Sequence, residues 1–165
     1  MALDKNFKGI PYLLGRLGAI ISRVVELTPT QYGQAQMQPF VAFPQMLSRY
    51  YSSGNPEREE EVREIMSNFP SDFKFPKQLN ITEQGQFIIG WHHQLAEIYR
   101  ERNRRKIAKA IKLKRVELDM TQAQLAEKAG VTRQSIANIE SGDYNASIDV
   151  LSSVMAVLDI KLEIE

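Results

Sequence analysis

Residues 121–142 read Thr121-Gln122-Ala-Gln-Leu125-Ala126-Glu-Lys-Ala129-Gly130-Val-Thr132-Arg133-Gln134-Ser135-Ile136-Ala-Asn138-Ile139-Glu140-Ser-Gly142. This stretch predicts two short helices joined by a tight turn. Thr121 and Thr132 each carry a hydroxyl that can accept a first-turn amide, so each opens a helix. Leu125, Ala126 and Ala129 give the first helix one apolar face, and Ile136 and Ile139 do the same for the second. Gly130 supplies the positive φ that the turn needs, and Ala126 is small where the helices must cross closely. The outward residues of the second helix are then Arg133, Gln134, Ser135 and Asn138. Arginine, glutamine and asparagine can read base edges bidentately in the major groove, which makes double-stranded DNA the expected partner. A helix pair with a polar surface and no nucleic acid is the plainer alternative.

The flanks differ sharply in charge. Residues 100–115 hold nine basic side chains and one acid, Glu101, whereas residues 1–99 hold 9 and 10, and residues 116–165 hold 3 and 9. The overall net charge of +1 therefore conceals a local +8. Arg102, Arg104, Arg105, Lys106 and Lys109 lie in that segment. It is either a solvated linker or helix face, or a segment that contacts phosphates. Downstream, Ser147 caps a last helix carrying Ile148, Leu151, Val154 and Leu158. The tail 159–165 alternates strictly, with Ile160, Leu162 and Ile164 on one face, which predicts a short β-strand. A lone strand leaves its backbone groups unpaired. It either pairs with its twin in a homodimer through residues 160–164, or frays.

The spacing over residues 104–158 resembles the helix-turn-helix of Xre/Cro/cI-type repressors. The resemblance implies base reading by Arg133, Gln134 and Asn138. It implies phosphate contacts from Gln122, Thr132 and Ser135, and a structural ion pair between Arg115 and Glu140. A further contact region follows the second helix, around Asp143-Tyr144-Asn145, with Asn145 the phosphate contact; Asp143 is an awkward neighbour for phosphate. The net −6 of residues 116–165 also departs from a strong DNA binder, so the basic segment must help.

The first hundred residues look helical. Leu13, Leu17, Ile20, Val24 and Leu27 recur at helical spacing over Tyr12 to Leu27, and Thr28-Pro29 ends that helix. Pro39 and Pro44 break or kink any helix in 30–52. Asn55-Pro56 reads as a helix start, with Glu57, Glu59, Glu60 and Glu61 favoured in the first turns by the helix dipole. Phe69, Phe73 and Phe75 anchor a loop. Thr82 caps a helix running at least to Arg102, with a stripe of Ile88, Trp91, Leu95 and Ile98. His92 falls on that stripe as a buried, hydrogen-bonded histidine, and His93 falls off it.

Several phrases here resemble the C-terminal helical region of the large subunit of type I-C CRISPR effector (Cascade) complexes, which can also be made separately as the small subunit. They are Pro11-Tyr12-Leu13-Leu14-Gly15-Arg16-Leu17, then Tyr32-Gly33, Phe43-Pro44 and Leu47, then Glu64-Ile65-Met66, and Gln84-Gly85-Gln86-Phe87-Ile88-Ile89-Gly90 with His93-Gln94. The match covers about residues 10–100. The resemblance implies that this block takes, or imitates, the small subunit's place, which holds nucleic acid by its backbone. The large subunit's extensive N-terminal part has no counterpart in these residues.

With no cysteine among 165 residues, Cys-ligated zinc, iron–sulfur clusters, thiol nucleophiles and disulfides are excluded. Two histidines make a metal site a poor expectation, and no cofactor is implied. No Walker loop, zincin pair or Gly-x-Ser-x-Gly is present, so the chain reads as a non-enzyme. No membrane span or secretion signal is visible, which points to a cytoplasmic protein. The expected fold is all-α: a helical bundle over residues 1–103 and a helix-turn-helix domain with a short terminal strand over 104–165. The expected function is a transcriptional regulator tied to type I-C CRISPR, whose first domain engages the effector complex. The alternatives are an anti-CRISPR protein that mimics the small subunit while repressing its own promoter, a working replacement small subunit, and an ordinary phage or plasmid repressor.

Overall fold

The computed structural model describes residues 9–54, 56–142 and 144–161. Within them lie eight helices and no strand: α1 (Ile10–Ser22), α2 (Pro29–Met37), α3 (Pro39–Tyr51), α4 (Pro56–Met66), α5 (Ile81–Glu117), α6 (Gln122–Ala129), α7 (Arg133–Ser141) and α8 (Ile148–Val157). The chain divides into two compact units, Met1–Glu97 and Ile98–Glu165, and the division falls inside α5.

In the first unit, α1 buries Leu13, Leu14, Leu17, Ile20 and Ile21. It packs on α3 and α4, whose Phe43, Met46, Tyr50, Val62 and Ile65 complete one core with Phe87 and Trp91 of α5. Two glycines let backbones meet. A Cβ on Gly15 would stand 2.0 Å from the Phe87 carbonyl oxygen, and one on Gly90 would stand 2.0 Å from that of Tyr12. Phe73 bridges the loop aromatics, with ring centroids 4.3 Å from Phe69 and 5.1 Å from Phe75. Phe75 in turn stacks on Phe43 at 5.3 Å. The loop is thus pinned to the core as its spacing predicts.

Four local expectations need correction. The first helix stops at Ser22, not Leu27, because Thr28 is committed to opening α2. Its hydroxyl accepts from the Gln31 amide while the Gln31 side chain accepts from the Thr28 amide, and this holds Thr28 extended. The expected break in 30–52 falls at Pro39, where α3 opens after α2 ends at Met37, and α3 runs on across Pro44. The cap of α5 is Asn80, not Thr82: Asn80 Oδ1 accepts from the Glu83 amide at 3.0 Å, and the Glu83 carboxylate accepts from the Asn80 amide at 2.8 Å. The two histidines exchange roles. His92 is exposed, whereas His93 is half-buried and shares a 2.7 Å hydrogen bond between its Nδ1 and the Tyr12 hydroxyl. Phe87 rather than Ile88 supplies the buried position of that stripe, leaving Ile88 37% exposed. Asn55 lies outside the described residues.

The second unit gathers the end of α5 with α6, α7 and α8 around Ile111, Leu125, Ile136, Ile139, Val154, Met155 and Leu158. Ile148 is not part of that core and is 81% exposed; α8 turns Val154, Met155 and Leu158 inward instead. Of the expected terminal strand, Ile160 packs against the core and Lys161 is exposed, neither in a strand, and residues 162–165 lie outside the described residues.

Candidate nucleic-acid interface

The turn between α6 and α7 is built from its caps. Thr121 Oγ1 accepts from the Gln124 amide at 3.2 Å, and Gln124 Oε1 accepts from the Thr121 amide at 2.8 Å. Gly130 closes α6 with φ +66°. Thr132 Oγ1 then accepts from the Ser135 amide at 3.0 Å and starts α7. With Ile136 and Ile139 buried, α7 has one orientation, and its polar residues are fixed by helical geometry.

On that polar side Arg133 and Gln134 are exposed, and Ser135 and Asn138 are half-buried. Gln134 Nε2 donates to Asn138 Oδ1 at 2.8 Å, so two of the expected base readers form one bonded pair a turn apart. Thr132 and Ser135 share a hydrogen bond between their hydroxyls at 2.8 Å. Arg133, Gln134 and Ser135 at the start of α7, and Asn138 a turn further on, thus set polar side chains along one helix.

Beneath them sits a charged clamp. Arg115 Nε and Nη2 donate to Glu140 Oε1 and Oε2 at 2.6 and 3.1 Å, and Nη1 donates to the Met120 carbonyl at 2.6 Å. Gln122 Nε2 donates to Glu140 Oε2 at 2.9 Å. The clamp ties α5, α6 and α7 together. The side chains of Arg115 and Glu140 are 12% and 4% exposed, so the pair is shielded from screening. Burial pushes the Glu140 carboxyl up, but hydrogen bonds from Arg115 and Gln122 outweigh it, helped by the charges of Arg115 and Lys112. The net result lies below the ordinary carboxylate value. Arg115 is shifted up by its bond to Glu140 against a smaller opposing effect of burial.

The basic segment lies on α5. Arg102, Arg105, Lys106 and Lys109 are exposed and Arg104 is half-buried. Arg105 runs beside Gly142, the residue that ends α7: a Cβ on Gly142 would lie 3.3 Å from Arg105 Cγ. Asn145 is exposed and shares a small recess with Arg104 and Tyr144. That recess was not legible in the sequence, which links Asn145 to the second helix and not to α5. Asp143 lies outside the described residues. Among the described residues no cluster of His, Cys, Asp or Glu is arranged to hold a metal, and no helix is long and apolar enough to cross a membrane.

Two capped helices at a glycine turn, the second polar on its outer side and clamped by a buried ion pair, define a helix-turn-helix domain. Comparison with known proteins agrees and extends the assignment to the rest of the chain. Residues 111–164 match the family described as helix-turn-helix (HTH_3), and residues 1–99 match the family described as CRISPR-associated protein (Cas_Csd1). The chain belongs to the Cas_Csd1 family over its first unit and carries a helix-turn-helix domain after it. An immunity repressor protein of Bacillus phage phi105 is 41% identical over 56 residues, which are 34% of this chain and 39% of the phage protein. The chain thus spans well under half the length of that repressor. An uncharacterized HTH-type transcriptional regulator of Archaeoglobus fulgidus is 38% identical over 53 residues, 32% of this chain and 75% of the regulator.

Proposed function

We infer that the protein is a DNA-binding regulator coupled to a type I-C CRISPR effector complex. The observation that carries this reading is the fusion itself: a Cas_Csd1 region and a helix-turn-helix domain in one chain. In the second domain, α7 enters the major groove. Arg133, Gln134 and Asn138 read base edges, while Gln122, Thr132, Ser135 and Asn145 hold phosphates. The Gln134–Asn138 bond favours this, because an amide already oriented by its neighbour loses less freedom on meeting a base. The Arg115–Glu140 clamp sets the angle between the helices that presents them. The repressor and regulator relatives support a role in transcription. Residues 1–103 engage the effector complex, and residues 104–165 engage the operator.

A second reading, that the first domain occupies the small-subunit place as an inhibitory decoy, is favoured by one observation. Arg16 donates to Gln94 and Glu97, and Arg23 to Glu61. Two of the nine basic residues in 1–99 are therefore committed within the domain, which weakens any grip on a nucleic-acid backbone there. Mixing the protein with a type I-C complex lacking its small subunit separates the readings. Regulation expects association that leaves interference by the complete complex unchanged, and the decoy expects incorporation that restores nothing here and lowers interference by the complete complex. Restored interference would instead mark a replacement subunit, and no association at all would sink the coupling.

A further inference from the structure

In the part of α5 that belongs to the first unit, Ile81, Gly85, Ile88, His92 and Leu95 recur four and three residues apart, the spacing of a seam between paired helices. The unit's core lies on another side of the helix, through Phe87 and Trp91. Ile81 is 88% exposed, Ile88 is 37% exposed, and Ile89 beside the seam is 46% exposed. His92 is exposed too, and Gly85, Leu95 and Ala96 are half-buried. A Cβ on Gly85 would meet nothing within 4 Å, so the seam has a gap there. No lysine or arginine lies between Ile81 and Glu97. The two acids of this stretch are engaged elsewhere: Glu83 accepts from the Asn80 amide, and Glu97 pairs with Arg16. Single exposed apolar residues are ordinary, but a row of them on one uncharged helix face marks a docking surface.

We propose that this face pairs with the same face of a second copy of the chain, the two α5 helices running antiparallel about a two-fold axis at the level of Gly90. Charge and shape select that occupant. The face has no cation for a phosphate backbone and no charge to match a charged protein surface, whereas its own twin is equally uncharged. Antiparallel alignment about residue 90 sets Ile88 opposite the second copy's residue 92 and Leu95 opposite its residue 85, each pairing occurring twice. Leu95 thereby fills the gap at Gly85. Parallel alignment would set glycine against glycine and leave the gap open. It would also bring Arg100 and Arg102, the basic continuation of α5, against their own copies. The seam spans about four helical turns, short of the interface of a permanent dimer, so self-association is weak and concentration-dependent. This interface is separate from pairing of the tail through residues 160–164. A dimer carries two helix-turn-helix domains, which suits an operator of two inverted half-sites.

The test is sedimentation velocity of the full chain over a wide concentration range, joined to cysteine cross-linking. The parent protein should pass reversibly from monomer to dimer as concentration rises. Ile88→Lys, at an exposed position, should leave the Trp91 unfolding transition of the dilute protein in place. It should weaken dimerisation by about tenfold or more, because it sets a charge in an apolar seam. Gly85→Leu closes the gap that Leu95 needs and should weaken dimerisation as well, although leucine favours the helix. The chain has no cysteine, so single cysteines report the alignment without background. Ile88→Cys mixed with His92→Cys should form disulfides between unlike chains in preference to like ones. A parent protein that stays monomeric throughout overturns the proposal, and so does a preference for cross-links between like chains. A dimer untouched by Ile88→Lys and Gly85→Leu also overturns it and places the contact elsewhere, as at residues 160–164. A monomeric parent whose binding to the effector complex is lost in Ile88→Lys would give the face to that complex instead.

Discussion

Arg115→Met removes one partner of the clamp and leaves the other in place. Glu140 would keep one hydrogen bond, from Gln122, and lose two from Arg115, with its side chain only 4% exposed. The Met120 carbonyl would lose its guanidinium donor as well. An exposed pair would be worth less than about 1 kcal/mol, but stranding a buried charge costs about 3–5 kcal/mol. Gln122 and the 12% exposure of Arg115 place the expectation at the low end, about 3 kcal/mol. For a unit of this size each kcal/mol moves the melting temperature by about 4–8 °C, so a fall of roughly 12–24 °C is expected. The two units can be followed separately in the intact chain. Trp91 is the sole tryptophan and lies in the first core, so its fluorescence reports that unit, while far-ultraviolet circular dichroism reports both. The loss should appear in the dichroism transition and be absent from the fluorescence transition. Arg115→Met combined with Glu140→Leu should recover part of it, since an apolar pair leaves no stranded charge. A dichroism transition unmoved by Arg115→Met would show that the clamp does not hold the domain together.

Arg133→Ala should lower affinity for the selected duplex far more than for scrambled DNA, by about 1–3 kcal/mol of discrimination measured by fluorescence anisotropy; equal losses would make Arg133 a phosphate contact. Because the Glu140 carboxyl lies lower in the folded than in the unfolded protein, the clamp's stabilisation is complete above the ordinary carboxylate value of 4.5 and is lost as pH falls through the lowered one. Melting of the second unit should therefore fall on acidification below that value, less steeply in the Met/Leu double variant. Gly90→Ala should lower the Trp91 transition because its Cβ meets the Tyr12 carbonyl oxygen at 2.0 Å, whereas Gly85→Ala, with no atom within 4 Å, should raise it by up to about 1 kcal/mol. Replacing Arg102, Arg105, Lys106 and Lys109 by glutamine should flatten the salt dependence of DNA binding without moving either melting transition.

Much of the second unit was readable because its signals are local and chemically distinct. Thr121, Gly130 and Thr132 each do one thing that few other residues do, and their spacing leaves room for only one turn. The charge contrast at 100–115 was equally plain, but not what it packs against. Arg104 and Arg105 meet the segment after α7 across about forty residues of chain, a distance over which periodicity says nothing. In the first unit the errors came from choosing between neighbours of similar type. Asn80 and Thr82 both cap helices, and Glu83, three residues beyond Asn80, was the deciding sign. The helix face through Ile88 and His92 looks as apolar as the one through Phe87 and Trp91. What selects the second is Gly90, which lets the Tyr12 backbone approach and turns His93 toward the Tyr12 hydroxyl. Ile148 was placed in the core by spacing alone, although a first-turn residue can point past the end of its neighbours.

The central claim is that α7 reads a DNA sequence on behalf of a chain that also carries a CRISPR-associated domain. Selection of bound duplexes from a random pool by the full-length protein, repeated with Gln134→Ala and Asn138→Ala, tests it most directly. The account expects one enriched motif for the parent protein, with base preference relaxed at discrete positions in each variant. Recovery of duplexes with no enriched motif, or the same motif from all three proteins, would contradict it.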